Sequence, residues 1–99
     1  MDVLIHTFKN QVHDADGHAY IGRAIGRQRS DGLWVGWLEF RPKTGKLVRR
    51  SPIETTQPNR EALRYWASGL ERIYLEGALE RAMVASRAAS RTLKNTTES

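Results

Sequence analysis

Two hydrophobic periods divide this chain. From Val3 to about Thr55 apolar and polar positions tend to alternate, most clearly between His18 and Phe40, whereas from Asn59 the apolar residues Ala62, Leu63, Trp66 and Leu70 fall on one helical stripe. A period of two predicts strands and a period near 3.6 predicts a helix. Strands followed by helices predict an α+β fold: an antiparallel three- to four-stranded sheet over residues 3–55, then two helices at about 59–68 and 76–92.

The turns set the expected strand pairing. Asp14-Ala15-Asp16-Gly17 carries an Asp-Gly turn signal after a first strand in 3–13, and Ser30-Asp31-Gly32 fits a three-residue hairpin loop with its glycine in the left-handed region. That loop predicts Ile25 opposite Trp37, Arg23 opposite Glu39, Gly22 opposite Phe40 and Ala24 opposite Leu38. One face then carries Tyr20, Trp34, Leu38, Phe40 and Val48; the other carries Ile21, Ile25, Val35, Trp37, Leu47 and Ile53 among arginines. Gly22 and Gly26, within a strand, imply a helix or an aromatic ring packed closely over them. A further turn at 42–46 leads to a strand at 47–53, where Arg49 is expected opposite Glu39 and Pro52 marks an edge or an end.

In the helical half, Asn59 or Thr56 can cap the first helix. Gly69 sits where a left-handed C′ residue belongs, so it is expected to have positive φ and to stop the helix near Ser68. Residues 71–75 fit a linker, a small strand or the start of the second helix, and 94–99 is expected to be a flexible tail after a single domain at 1–93. Both apolar sheet faces need cover, so the face bearing Trp37 is expected to meet the C-terminal helix or another copy of the chain, giving a homo-oligomer.

Composition narrows the function classes. Ninety-nine residues leave room for one modest core. The absence of cysteine excludes thiol nucleophiles and zinc-thiolate sites. No apolar run is long enough for a transmembrane helix and no leader pattern opens the chain, so a cytoplasmic protein is expected. The net charge is +5, with residues 18–51 alone holding eight basic and two acidic side chains, and arginine outnumbers lysine twelve to four. Arginine favours bidentate and stacked contacts over simple solubilising charge.

Candidate chemistry is sparse. His13, Asp14, Asp16 and His18 could in principle ligate a divalent ion, but their spacing fits no standard site and reads as a turn. Glu71, Glu76 and Glu80 read as solvated helix glutamates, and the three histidines all lie in the first eighteen residues, so neither enzyme activity, metal nor cofactor is expected. Gly22-Arg23-Ala24-Ile25-Gly26 lacks the Gly-Lys-Ser/Thr ending of a phosphate loop. Arg23, Arg27, Arg29, Arg49 and Arg50, with Trp37 among them, make a basic, aromatic sheet suited to phosphates and bases. Trp66 belongs to the core stripe.

The segments Asp31-Gly32-Leu33-Trp34-Val35-Gly36-Trp37-Leu38-Glu39-Phe40 and Tyr74-Leu75-Glu76-Gly77-Ala78-Leu79-Glu80-Arg81-Ala82 resemble small bacterial proteins of uncharacterised function. That resemblance implies no activity. The order of sheet then helices is also similar to small antitoxin-like and nucleic-acid-binding domains, in architecture alone. The expected function is a non-enzymatic DNA- or RNA-binding or regulatory module. The alternative is a protein-interaction or assembly subunit that docks through an apolar sheet face or the C-terminal helix, its arginines serving ion pairs.

Overall fold

The structure, a computed structural model, describes residues 1–45 and 47–88 with their side chains and carries the last helix further by its backbone. The expected tail at 94–99 lies outside the residues so described. The strands are β1 (Val3–Thr7), β2 (Val12–His13), β3 (Ala19–Gln28), β4 (Trp34–Pro42), β5 (Arg49–Arg50) and β6 (Thr55–Gln57). The helices are α1 (Arg60–Ser68) and α2 (Arg72–Glu98). The fold is α+β, an antiparallel sheet of six strands followed by two helices. Among the described residues no helix is long and apolar enough to cross a membrane.

Six strands fill four positions. The order is β1-β3-β4-β5, with β2 sharing the flank of β3 and β6 sharing the flank of β4. The long central hairpin has the expected register, including Ile25 opposite Trp37, Arg23 opposite Glu39 and Gly22 opposite Phe40. Its loop closes through the Arg29 N–H to the Leu33 carbonyl at 2.7 Å, with Gly32 at φ +88°. A positive φ costs glycine little, which is why the loop needs it there.

The expected strand at 47–53 is broken. Ser51 Oγ accepts from the Leu38 N–H at 2.9 Å, and Pro52 has no N–H to extend the ladder. Arg50 pairs with Glu39, and Thr55 pairs with Gly36, so residues 52–54 bulge outward opposite Trp37. One consequence corrects the expected ladder: Arg50, and not Arg49, stands opposite Glu39, and Arg49 pairs with Phe40 on the other face. Leu47 and Ile53 are exposed instead of lining a sheet face.

Both helices cover the face bearing Tyr20, Ala24, Leu38 and Phe40. Leu63, Ala67, Leu75, Ala78, Leu79 and Ala82 complete this core with Ile5 of β1, Val12 of β2 and Phe8 between those strands. The strand glycines give the helix room to approach. A Cβ built on Gly26 would lie 2.5 Å from Leu63 Cδ2, and one on Gly36 would lie 2.6 Å from Leu63 Cδ1. Leu63 therefore sits in a two-glycine depression of adjacent strands, and Phe8 and Phe40 cover Gly22.

Asn59 caps α1 by accepting the Ala62 N–H at 2.7 Å. Gly69 ends that helix, but at φ −92° and ψ −2° it is right-handed, contrary to the expected left-handed cap. Its N–H and that of Leu70 bond back to Trp66 and Ala67 carbonyls, a tightened last turn that hands the chain to α2 with no reversal. The second helix consequently begins at Arg72, earlier than expected, because Leu75, Ala78, Leu79 and Ala82 already form its buried stripe.

Candidate interaction surface

The second face of the sheet has no helix over it. It is built from the alternate positions of four strands, β1, β3, β4 and β5: Leu4 opposite Ile25, Ile21 opposite Arg41, Arg27 opposite Val35, and Arg23 and Arg50 flanking Glu39. The expectation that the C-terminal helix covers this face is corrected, since α2 packs on the opposite one. Even so, Ile25 is buried and Trp37 is 0% exposed.

Two arginines lie over the indole. The Arg50 guanidinium carbon lies 4.2 Å from the centroid of the Trp37 ring, and that of Arg27 lies 5.4 Å away. Such stacking combines cation–π attraction with burial of the arginine stems over the indole. Arg27 Nε–H also donates to Asp2 at 2.7 Å. This hydrogen bond, helped by the charges of Arg27 and Arg50, holds the Asp2 carboxyl below its ordinary range and raises the Arg27 guanidinium. Trp37 Nε1 is buried without a hydrogen-bond partner among the described residues.

The remaining sequence candidates separate. Arg23 meets Glu39 at 3.6 Å, and Arg29 meets Asp31 at 2.8 Å at the hairpin tip. Arg49 lies on the helix side, in a cleft with Met83, its Nε buried and without a hydrogen-bond partner among the described residues. Arg23, Arg27, Arg50 and Trp37 are thus brought together, whereas Arg29 and Arg49 are not. Trp34 belongs to the helix-side layer, packed against the core with Arg60 over its ring at 5.9 Å. Asp2 and Leu4 were not singled out by sequence reasoning. Their place depends on a bulge between Leu4 and His6 that shifts the β1–β3 register, for which no turn residue gives a signal.

A second cluster follows from the bulge at 52–54. Glu54, its side chain 5% exposed, accepts from Tyr74 Oη at 2.7 Å and from Arg81 through Nη2 at 2.6 Å and Nε at 3.1 Å. Burial pushes the Glu54 carboxyl up, but the hydrogen bonds from Arg81 and Tyr74 outweigh it and leave the group below its ordinary value. Burial, then the Glu54 carboxylate, pushes Tyr74 up to about 12. Arg81 also stacks on Tyr74 at 5.4 Å. This triad fastens the β5–β6 connection to α2.

Asp14, Asp16 and His18 each place a ligand-type atom within 4.8 Å of the others. The Asp14 oxygens, however, accept from the Asp16 and His18 N–H groups at 2.9 Å, from Tyr20 Oη at 3.2 Å and lie 3.1 Å from His18 Nδ1. Those contacts are the internal bonds of the turn. Searches against protein-family models, curated proteins and solved structures find no match to this chain.

Proposed function

We propose that the chain is a non-enzymatic docking module, an assembly or protein-interaction subunit that holds a protein partner on the open face of its sheet. The observation that carries this reading is the aliphatic centre of the open face, with Trp37 0% exposed and so no aromatic ring offered to a base. Among the described residues the sheet arginines form no continuous row around that centre, because Arg29 lies at the hairpin tip and Arg49 on the other face. Between them lie partly exposed Leu4, Ile21 and Val35, apolar surface of the kind found at the centre of protein interfaces.

The test is a charge placed in that surface. Ile21→Asp is expected to reduce recovery of a co-purifying protein by roughly tenfold or more, since an unpaired carboxylate would have to be desolvated on docking. Recovery by the unaltered chain should survive nuclease treatment and about 500 mM salt, where exposed charges are screened. Unchanged recovery by the variant would overturn the reading.

Nucleic-acid binding is the second reading, favoured by Arg41 and Arg50, which have no carboxylate ion pair among the described residues. If it is right, Arg27→Ala, Arg29→Ala and Arg50→Ala together weaken oligonucleotide binding strongly. The salt dependence then becomes shallower by about one unit of slope per lost phosphate contact.

A further inference from the structure

The chemistry of the partner follows from the roof over Trp37, and the argument rests on the docking reading above. The described residues of the open face carry Arg23, Arg27, Arg41 and Arg50 against Asp2 and Glu39, a clear cationic excess. Two copies meeting across a two-fold axis would set that excess against itself, which disfavours self-docking. A carboxylate-bearing surface is complementary to it.

The roof is suited to being exchanged. Arg27 and Asp2 are 48% and 42% exposed, Arg50 is exposed, and Arg23 and Glu39 stand at the long distance of 3.6 Å. Exposed pairs of this kind are weak, so a guanidinium can leave its internal partner for an external carboxylate at little loss. Trp37 Nε1 is a buried donor with no acceptor among the described residues. Unsatisfied buried donors are uncommon and unfavourable, and a carboxylate arriving beside the ring supplies the acceptor that the free chain lacks.

A nucleic acid would also bring anions, but the face offers no base-stacking platform. The Trp37 ring is 0% exposed and Trp34 belongs to the other layer. Single-stranded nucleic acids are held by exposed aromatic faces alongside a basic groove. Leu4, Ile21 and Val35 instead provide aliphatic floor.

We infer that the open face takes an acidic protein segment in which Asp or Glu alternates with apolar residues, its carboxylates paired with Arg27 and Arg50 above Trp37 and its apolar residues on Ile21 and Val35. The segment recognises the face by charge and by the aliphatic floor together.

The experiment is a titration of the full chain followed by NMR, with the Trp37 indole N–H assigned through Trp37→Phe. The probes are a peptide alternating Glu with Val, the same peptide with Lys for Glu, and oligothymidylate, each at about 50 mM salt. The expected result is binding of the Glu–Val peptide, with the Trp37 indole N–H moving downfield as it gains an acceptor and the Ile21 and Val35 methyls shifting. Arg50→Gln should weaken that binding about tenfold, while Arg64→Gln, an equal charge change on the exposed side of α1, alters it by less than about twofold. Equal or stronger binding of the Lys–Val peptide on the same methyls would overturn the acidic partner and leave docking standing. Methyl shifts from no peptide would defeat both. Tighter binding of oligothymidylate with the indole shift would assign the face to nucleic acid. Concentration-dependent shifts in the absence of any probe would assign it to a second copy.

Discussion

The two faces of this sheet carry comparable apolar material and are shielded by opposite means. On one face Leu63 enters a depression left by Gly26 and Gly36, and two helices exclude water from Leu38 and Phe40. On the other, Trp37 is just as inaccessible, but its cover includes a pair of guanidinium groups, one of them held by an exposed carboxylate. The first arrangement is dry and interlocked, so any change of volume is felt. The second is polar, water-facing and individually weak. Burial alone does not distinguish the two faces; the strength of what covers each one does.

The comparison breaks first at Leu63. Leu63→Ala empties the glycine depression and is expected to cost about 2–5 kcal/mol in denaturant unfolding, the range for a fully buried leucine. Gly26→Ala approaches the same depression from the sheet side. Its Cβ would meet Leu63 and also Ile5 at 3.1 Å, and the expected loss is about 1–3 kcal/mol. Combined with Leu63→Ala it should cost less than the sum of the two single changes, because the added methyl enters space that the leucine has vacated.

Glu54→Gln tests the clamp between the bulge and α2, with an expected loss of about 1–3 kcal/mol from hydrogen-bonded partners left incompletely satisfied. The pH dependence has a defined sign. Because the folded Glu54 carboxyl titrates below its ordinary value of 4.5, its stabilisation is present above that value and is lost as pH falls through the lower folded pKa. Tyr74 acts at the other end: its contribution is full below about 10, the ordinary value, and is lost as pH rises toward the folded value of about 12. Thermal unfolding across pH should therefore show an acid limb that Glu54→Gln flattens.

Arg27→Ala and Arg50→Ala should each lower stability far less than Leu63→Ala, as expected for exposed stacked or paired arginines. Both should raise the exchange rate of the Trp37 indole proton, which ties the cover to those side chains. A loss on the scale of Leu63→Ala would show the open face to be as interlocked as the other. The smallest effect is expected at Gly69. With φ at −92° and only backbone oxygens at 3.7 and 3.8 Å from an added Cβ, Gly69→Ala should change stability by no more than about 0.5 kcal/mol, where a left-handed glycine would have lost about 1 kcal/mol.

Much of the candidate surface was legible before any coordinates. The loop Ser30-Asp31-Gly32 specifies the central hairpin by local turn chemistry, and from that register the grouping of Ile21, Arg23, Ile25, Arg27, Val35 and Trp37 on one face follows. Gly22 and Gly26 correctly announce close neighbours. The misplacement of Arg49 has a specific source: the β4–β5 pairing is displaced by one residue from the expected one, with Ser51 held opposite Leu38 through both its N–H and its hydroxyl, and periodicity alone does not register it. Asp2 and Leu4 were missed for the same kind of reason, a bulge in an edge strand.

The sequence by itself determined the strand-then-helix order, the central register, the start of α1 at Asn59 and the end near Ser68, because each depends on period or on residues adjacent in the chain. Only the tertiary structure decided which face the helices cover, that Gly69 turns right-handed into an early α2, and that Glu54 reaches Tyr74 and Arg81. It also decided that Trp37 is roofed by arginines. These outcomes are set by contacts between residues distant in the chain, where the competition is between alternative packings of similar local cost, and local propensity does not rank them.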